Sequence, residues 1–220
     1  MAGAVAAMAI GVSMPISTRA QAADFVLSCQ SISNRTAIAD LRQRYGNTNV
    51  VNAPVAAPEG GSEPGTVIFP ETPERRVEIR WADAAHTRMA SFATFEKKSA
   101  WRTPEGLGTG TPIAEVDLIN GRSFLLRHFD YPGGGSVLSW TGGKLAKASE
   151  GACALVVRLA PGVTEFSKAE LKLVEAIAST EDVSSDDRRI KPYKAAVATL
   201  GLAWRDGNER SERRSASEAK

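Results

Sequence analysis

Two cysteines far apart in the chain, Cys29 and Cys153, limit its folding more than any other feature. Bridged, they tie the first strand of the mature chain to a strand deep in the second half. Disulfides persist where the compartment is oxidising, so the reading turns on where the chain matures. From Ala2 to Ile16 there is no charge, and Ala, Val, Met and Ile dominate. Polarity rises after Pro15, and Ala20-Gln21-Ala22 supplies the small-x-small pattern that signal peptidase reads. Residues 1–22 are therefore predicted to be a cleavable signal peptide. The apolar run is too short to be a transmembrane helix, and no cysteine follows it to carry a lipid anchor. The expected location is periplasmic or secreted, and there an even cysteine count predicts one disulfide, Cys29–Cys153. Closing so long a loop stabilises by about 4–5 kcal/mol in the chain-entropy account.

Glycines and prolines punctuate what lies between. After Phe25-Val26-Leu27, a helix is predicted from Thr36, with the Thr36 hydroxyl as cap and Asp40 near the positive end of the helix dipole. Ile38, Leu41 and Tyr45 keep helical spacing, and Gly46 closes the segment. A connection rich in turn residues follows, from Pro54 to Gly65. Strands are expected at Thr66–Phe69, Val77–Trp81 and Ser91–Phe95. A second helix starts at Thr111-Pro112, keeps Ile113, Val116 and Ile119 on one face, and ends at Gly121. Strands are expected again at Ser123–Phe129, Gly135–Trp140, Ala152–Leu159 and Ala195–Trp204. Between the last two lies a helix from Phe166 to Ala178, with a Ser167/Glu170 capping box.

The two helical segments align at one constant offset: Thr36 with Thr111, Ile38 with Ile113, Asp40 with Glu115, Gly46 with Gly121. Each leads into β-like sequence ending in a tryptophan, Trp81 or Trp204. The pattern reads as a duplicated helix-plus-sheet unit. The predicted fold class is α+β, an antiparallel sheet with helices. Residues 23–100 form the first repeat, 101–206 the second with an inserted helix, and 207–220 a charged, disordered tail.

A net charge of +2 leaves no surplus of Lys and Arg for neutralising phosphates, so nucleic acid is a poor partner. No HExxH, CxxC or calcium-loop pattern indicates a metal, and no cofactor motif is present. Ser185-Asp186-Asp187 reads as a solvated loop, with a weak cation site helped by Glu181 and Asp182 as the alternative. His128 beside Asp130 is a strand-end pair that could orient a base for Ser136, which follows Gly133-Gly134-Gly135. A nucleophile elbow needs a glycine two residues after its serine, and Leu138 stands there. The three glycines are better read as a tight turn between strands. Aromatic residues near turns remain, and Trp101 and Tyr131 are the candidate binding anchors, because both lie in glycine- and proline-flanked connections.

The block Trp101-Arg102-Thr103-Pro104-Glu105-Gly106-Leu107, Gly110-Thr111, Glu115-Val116, Asn120-Gly121, Phe124, Gly134-Gly135 and Trp140-Thr141-Gly142-Gly143 carries a resemblance. It resembles the core of a family of uncharacterised exported bacterial proteins, extending from Thr36 to Trp204. Pro132 departs from that family's aromatic-Asp-Tyr-Gly-Gly pattern. The resemblance brings no activity with it. More coarsely, a helical Gly-Thr-x-x-x-Glu-Val segment before an antiparallel sheet, twice over, is similar to the β-lactamase inhibitory proteins and the small outer-membrane assembly lipoproteins. Both are binding modules, which implies a non-catalytic exported module contacting a protein or envelope component. The alternatives are a hydrolase using His128 with Asp130 and Ser136, and a small-ligand carrier with an enclosed apolar cavity.

Overall fold

The three segments with helical spacing are helices. In the computed structural model they are α1 (Ile38–Tyr45), α2 (Ile113–Asn120) and α3 (Lys168–Glu175). Residues 25–57, 60–95, 97–149 and 153–204 are described; the predicted signal peptide and the charged tail lie outside them. The α3 capping box forms as expected, with the Ser167 hydroxyl accepting from the Glu170 N–H and the Glu170 carboxylate accepting from the Ser167 N–H. Neither threonine caps its helix. Ala37 is the residue before α1, and its N–H donates to the Asp40 carboxylate at 2.9 Å. Pro112 precedes α2, while the Thr111 hydroxyl donates instead to the Gly108 carbonyl at 2.7 Å, folding the loop before the helix.

Among the described residues nine strands make two antiparallel sheets. They are β1 (Val50–Ala56), β2 (Ser62–Ile68), β3 (Val77–Trp81), β4 (Met89–Thr94), β5 (Leu125–Arg127), β6 (Val137–Ser139), β7 (Cys153–Ala160), β8 (Asp182–Ser184) and β9 (Ala196–Trp204). The larger sheet runs β1-β2-β3-β4-β9-β7, the smaller β6-β5-β8. An α+β fold results, and among the described residues no helix is long and apolar enough to cross a membrane.

Strand β1 and the first half of β2 occupy what reads as a proline-rich connection. The sheet accommodates them because of where the prolines fall. β1 is an edge strand, so Pro54 has no ladder partner to supply on its open side. Pro64 faces Pro54, and β2 pairs with β3 only over Thr66–Ile68, beyond the proline. Proline on an edge also deters strand addition from another chain.

The expected repeats do not form two equivalent units. Helix α1 is followed by the four-strand meander β1–β4, whereas α2 is followed by β5 and β6, which join β8. β9, from the second half, pairs with β4, from the first, and aligns Leu202 with Phe92. The two halves thus share one sheet and one core, including Ile68, Ile79, Phe92, Leu126 and Leu202. Along β7 the alternation is regular: Cys153, Leu155, Val157 and Leu159 are buried on one face.

Cys29 and Cys153 are bonded, with Cα atoms 5.9 Å apart across a separation of 124 residues. For a loop of that length the chain-entropy account gives about 5 kcal/mol. The N-terminal segment is held a second way. Leu27 N–H donates to the Arg102 carbonyl and Arg102 N–H to the Phe25 carbonyl. That pairing draws Trp101 inside, where it is 1% exposed and lies edge-on to Phe25 and Phe92. Its indole N–H donates to the Arg75 carbonyl. Trp101 is therefore a core residue and not a surface anchor: its connection is covered by the N-terminal segment.

Candidate functional site

The chemistry expected from the sequence gathers in one corner, beside the small sheet. His128 extends β5, donating its backbone N–H to the Glu181 carbonyl at 2.7 Å. Its ring is fully buried, and neither ring nitrogen has a hydrogen-bond partner. Tyr131 and Tyr193 stand edge-on to it, at 6.0 and 5.8 Å between centroids, with Phe129 at 6.4 Å. The Asp130 carboxylate lies 3.9 Å from Nδ1 but accepts instead from the Tyr193 hydroxyl at 3.0 Å. Burial lowers the His128 pKa, and the nearby Asp130 charge only partly opposes this. Burial, and then the bond to Asp130, raises that of the Tyr193 phenol. Burial thus favours the neutral imidazole, which aromatic rings enclose.

Ser136 does not complete this group. Its backbone carbonyl accepts from the Arg127 N–H, and its N–H donates to the Gly133 carbonyl. Its hydroxyl makes no bond to His128, since both ring nitrogens are without partners. A nucleophile and its base need hydrogen-bond reach, and here the base is sealed from the serine. The glycines act structurally, as expected. Gly135 has φ +80°, and a Cβ there would sit 1.9 Å from the Leu159 carbonyl oxygen, so the turn is pressed against β7. Tyr131 is half-buried, its hydroxyl donating to the Ala178 carbonyl at 3.3 Å.

The other residues carrying the resemblance also hold structure. Asn120, at the end of α2, is fully buried. Its amide donates to the Arg122 and Trp140 carbonyls, and its oxygen accepts from the Leu145 N–H. Gly143 packs so closely on this amide that a Cβ would meet it at 2.2 Å. One side chain thereby pins the loop that follows β6, leaving Trp140 6% exposed against Phe124.

The sequence gives no hint of a second place. Between α2 and residues 185–195 lies a cleft of about 640 Å³. Pro112, Ile113, Ala114 and Ala195 form its apolar surface; Asp117, Ser185, Asp186, Lys191 and Lys194 supply its polar groups. Two sets of hydrogen bonds set its walls. Gly110 N–H and Ile113 N–H donate to the Val197 and Ala195 carbonyls, stitching the start of α2 to the start of β9. Ser185 N–H donates to the Phe124 carbonyl, and the Ser185 hydroxyl accepts from the Phe124 N–H. Held there and 4% exposed, that hydroxyl donates to the Asp117 carboxylate at 2.5 Å. Burial, followed by the nearby Asp186 charge, outweighs this bond and raises the Asp117 pKa.

The solvated loop expected at 185–187 is thus divided. Asp187 is taken by Arg189 at 2.7 Å, Ser185 is buried, and Asp186 alone stays exposed at the cleft. Lys191 and Lys194 flank a short 3-10 turn whose middle residues, Pro192 and Tyr193, are buried. Among the described residues no ion pair joins either lysine to Asp117 or Asp186. A more open hollow of about 430 Å³ lies on the β1–β2 hairpin, beside His86. His86 has φ +55° and stacks on Trp81 at 5.1 Å, so it is a packed loop residue.

Compared with protein-family models, curated proteins and solved structures, the chain matches none.

Proposed function

We propose that this protein is a non-catalytic binding module of the periplasm or extracellular space, which holds a protein or other envelope component at the cleft beside α2. One observation carries the reading: Asp117, Asp186, Lys191 and Lys194 line one partly apolar cleft with no ion pair among them. Pockets that combine apolar walls with a few fixed polar groups are the usual form of a binding site. A hydrolase centred on His128 is disfavoured by the geometry, because the imidazole is sealed by aromatic rings and Ser136 does not reach it. The Cys29–Cys153 bond suits an oxidising compartment.

The test is capture of a partner by the disulfide-bonded chain from envelope extract, with Lys191→Glu/Lys194→Glu as the comparison. One stoichiometric partner, lost on charge reversal while the fold is retained, is the expected result. Robust turnover of a generic ester, peptide or glycan substrate would overturn the reading, as would a partner that ignores the charge reversal.

A further inference from the structure

Resting on that reading, we infer that the element the cleft takes is a short peptide segment carrying both an ammonium and a carboxylate group. The volume, about 640 Å³, lies within the range that encloses small ligands. The polar groups divide by sign. Asp117, on α2, and Asp186, just beyond β8, line the cleft together, and burial with the Asp186 charge raises the Asp117 pKa. Lys191 and Lys194 are the cleft's other charged groups, and both sit on the turn before β9. The rest of the lining is Pro112, Ile113, Ala114 and Ala195 with the Ser185 side chain, and the apolar part suits small apolar side chains.

Ligands of a single sign fit this arrangement poorly. An anion placed against the lysines also meets Asp117 and Asp186; a cation placed against the carboxylates also meets Lys191 and Lys194. Covering charges without pairing them costs more than the contact returns. A zwitterion pairs both sets at once. The acidic side is already oriented, because Phe124 N–H fixes the Ser185 hydroxyl and that hydroxyl fixes Asp117. Less side-chain freedom is then lost when the ammonium arrives. Two sources share this chemistry: the two ends of a free peptide, and Lys and Glu side chains within a longer segment.

Calorimetric titration of the intact disulfide-bonded chain separates them. The probes are tri-alanine with free ends, its N-acetyl form, its C-terminal amide, and an end-blocked Lys-Ala-Ala-Glu peptide. Binding of a doubly charged probe is expected, with each cap on tri-alanine weakening it by about tenfold or more. Binding of free tri-alanine assigns chain ends; binding of the blocked peptide assigns an internal segment. In Lys191→Ala/Lys194→Ala the penalty for the amide should vanish, and in Asp117→Asn/Asp186→Asn that for the acetyl cap. Circular dichroism and thermal melting confirm that each variant is folded. The inference falls if doubly charged and fully neutral peptides bind alike, or if no probe binds at millimolar concentration. If the probes fail but a captured partner is still lost on Lys191→Glu/Lys194→Glu, the zwitterion inference alone falls. If capture also ignores the cleft, both fall.

Discussion

One short turn, Lys191 to Lys194, faces two regions that differ in nearly every physical respect. On one side Tyr193 enters the corner around His128, touching Phe129 and Phe166 and bonding Asp130. On the other, Lys191 and Lys194 line the cleft beside α2. The corner holds the residue types usually associated with catalysis, yet they are enclosed and engaged in packing. The cleft holds residues unremarkable one by one, yet among the described residues no ion pair joins its carboxylates to its lysines. Residue type alone is therefore a poor guide to this molecule; whether a polar group is enclosed by its neighbours or left facing a cleft is a better one.

The strongest test of the contrast is Tyr193→Ala. It removes a buried ring and the hydroxyl that bonds Asp130, and the expected cost is about 3–5 kcal/mol by chemical denaturation. Lys191→Ala, two residues away but exposed, should stay within about 0.5 kcal/mol of the parent. Equal costs would mean that the turn is one structural unit and that the division drawn across it is wrong.

The two regions should also respond to pH in opposite directions. The folded His128 pKa lies below its ordinary 6.5, so the unfolded chain binds the extra proton first. Stability from this group is full above 6.5 and declines as pH falls through the window below it. The folded Asp117 pKa lies above its ordinary 3.8, so its contribution is full below 3.8 and declines as pH rises through the folded value. Denaturation midpoints measured against pH should lose the first slope in His128→Phe and the second in Asp117→Asn. A flat profile around 6.5 in the parent would show that the His128 ring is less enclosed than its position implies.

How much of this was legible in the sequence follows from the range of each interaction. The three helices are local, and Ile38, Leu41 and Tyr45, or Ser167 with Glu170, announce them within one or two turns. Strands β3 and β7 show their burial in their own alternation. The disulfide follows from cysteine parity and a leader-like N-terminus, without geometry. Strand β1 was hidden because Pro54 is tolerated only at a sheet edge, and edge position is set by strand order. Trp101 reads as a loop residue until Leu27 and Arg102 pair above it. The cleft was illegible altogether: Asp117 and Ser185 meet across 68 positions, and no local pattern relates them.

A smaller effect is expected at Lys194, which holds φ +47° in the left-handed region that favours glycine. Lys194→Gly relieves that conformation while freeing the unfolded chain, so stability should be unchanged or raised by up to about 1 kcal/mol. The same substitution removes an ammonium from the cleft. Thermal melting together with peptide titration then tells a binding role from a structural one. A loss of stability would place Lys194 in the fold, through its nearby Glu170, and remove it from the site.

The smallest expected change is Tyr131→Phe. Tyr131 lies at the margin of the corner, half-buried, with its ring edge-on to His128 and its hydroxyl on the Ala178 carbonyl at 3.3 Å. The ring contact survives the substitution, and an exposed hydrogen bond of that length contributes little once water replaces it. The expected loss is about 0.5 kcal/mol or less in chemical denaturation. Partner capture should be equally unmoved, because the cleft rather than this corner is the proposed binding face. Capture abolished by Tyr131→Phe without loss of stability would reverse the comparison, making this phenol the anchor and the charged cleft a solvated surface.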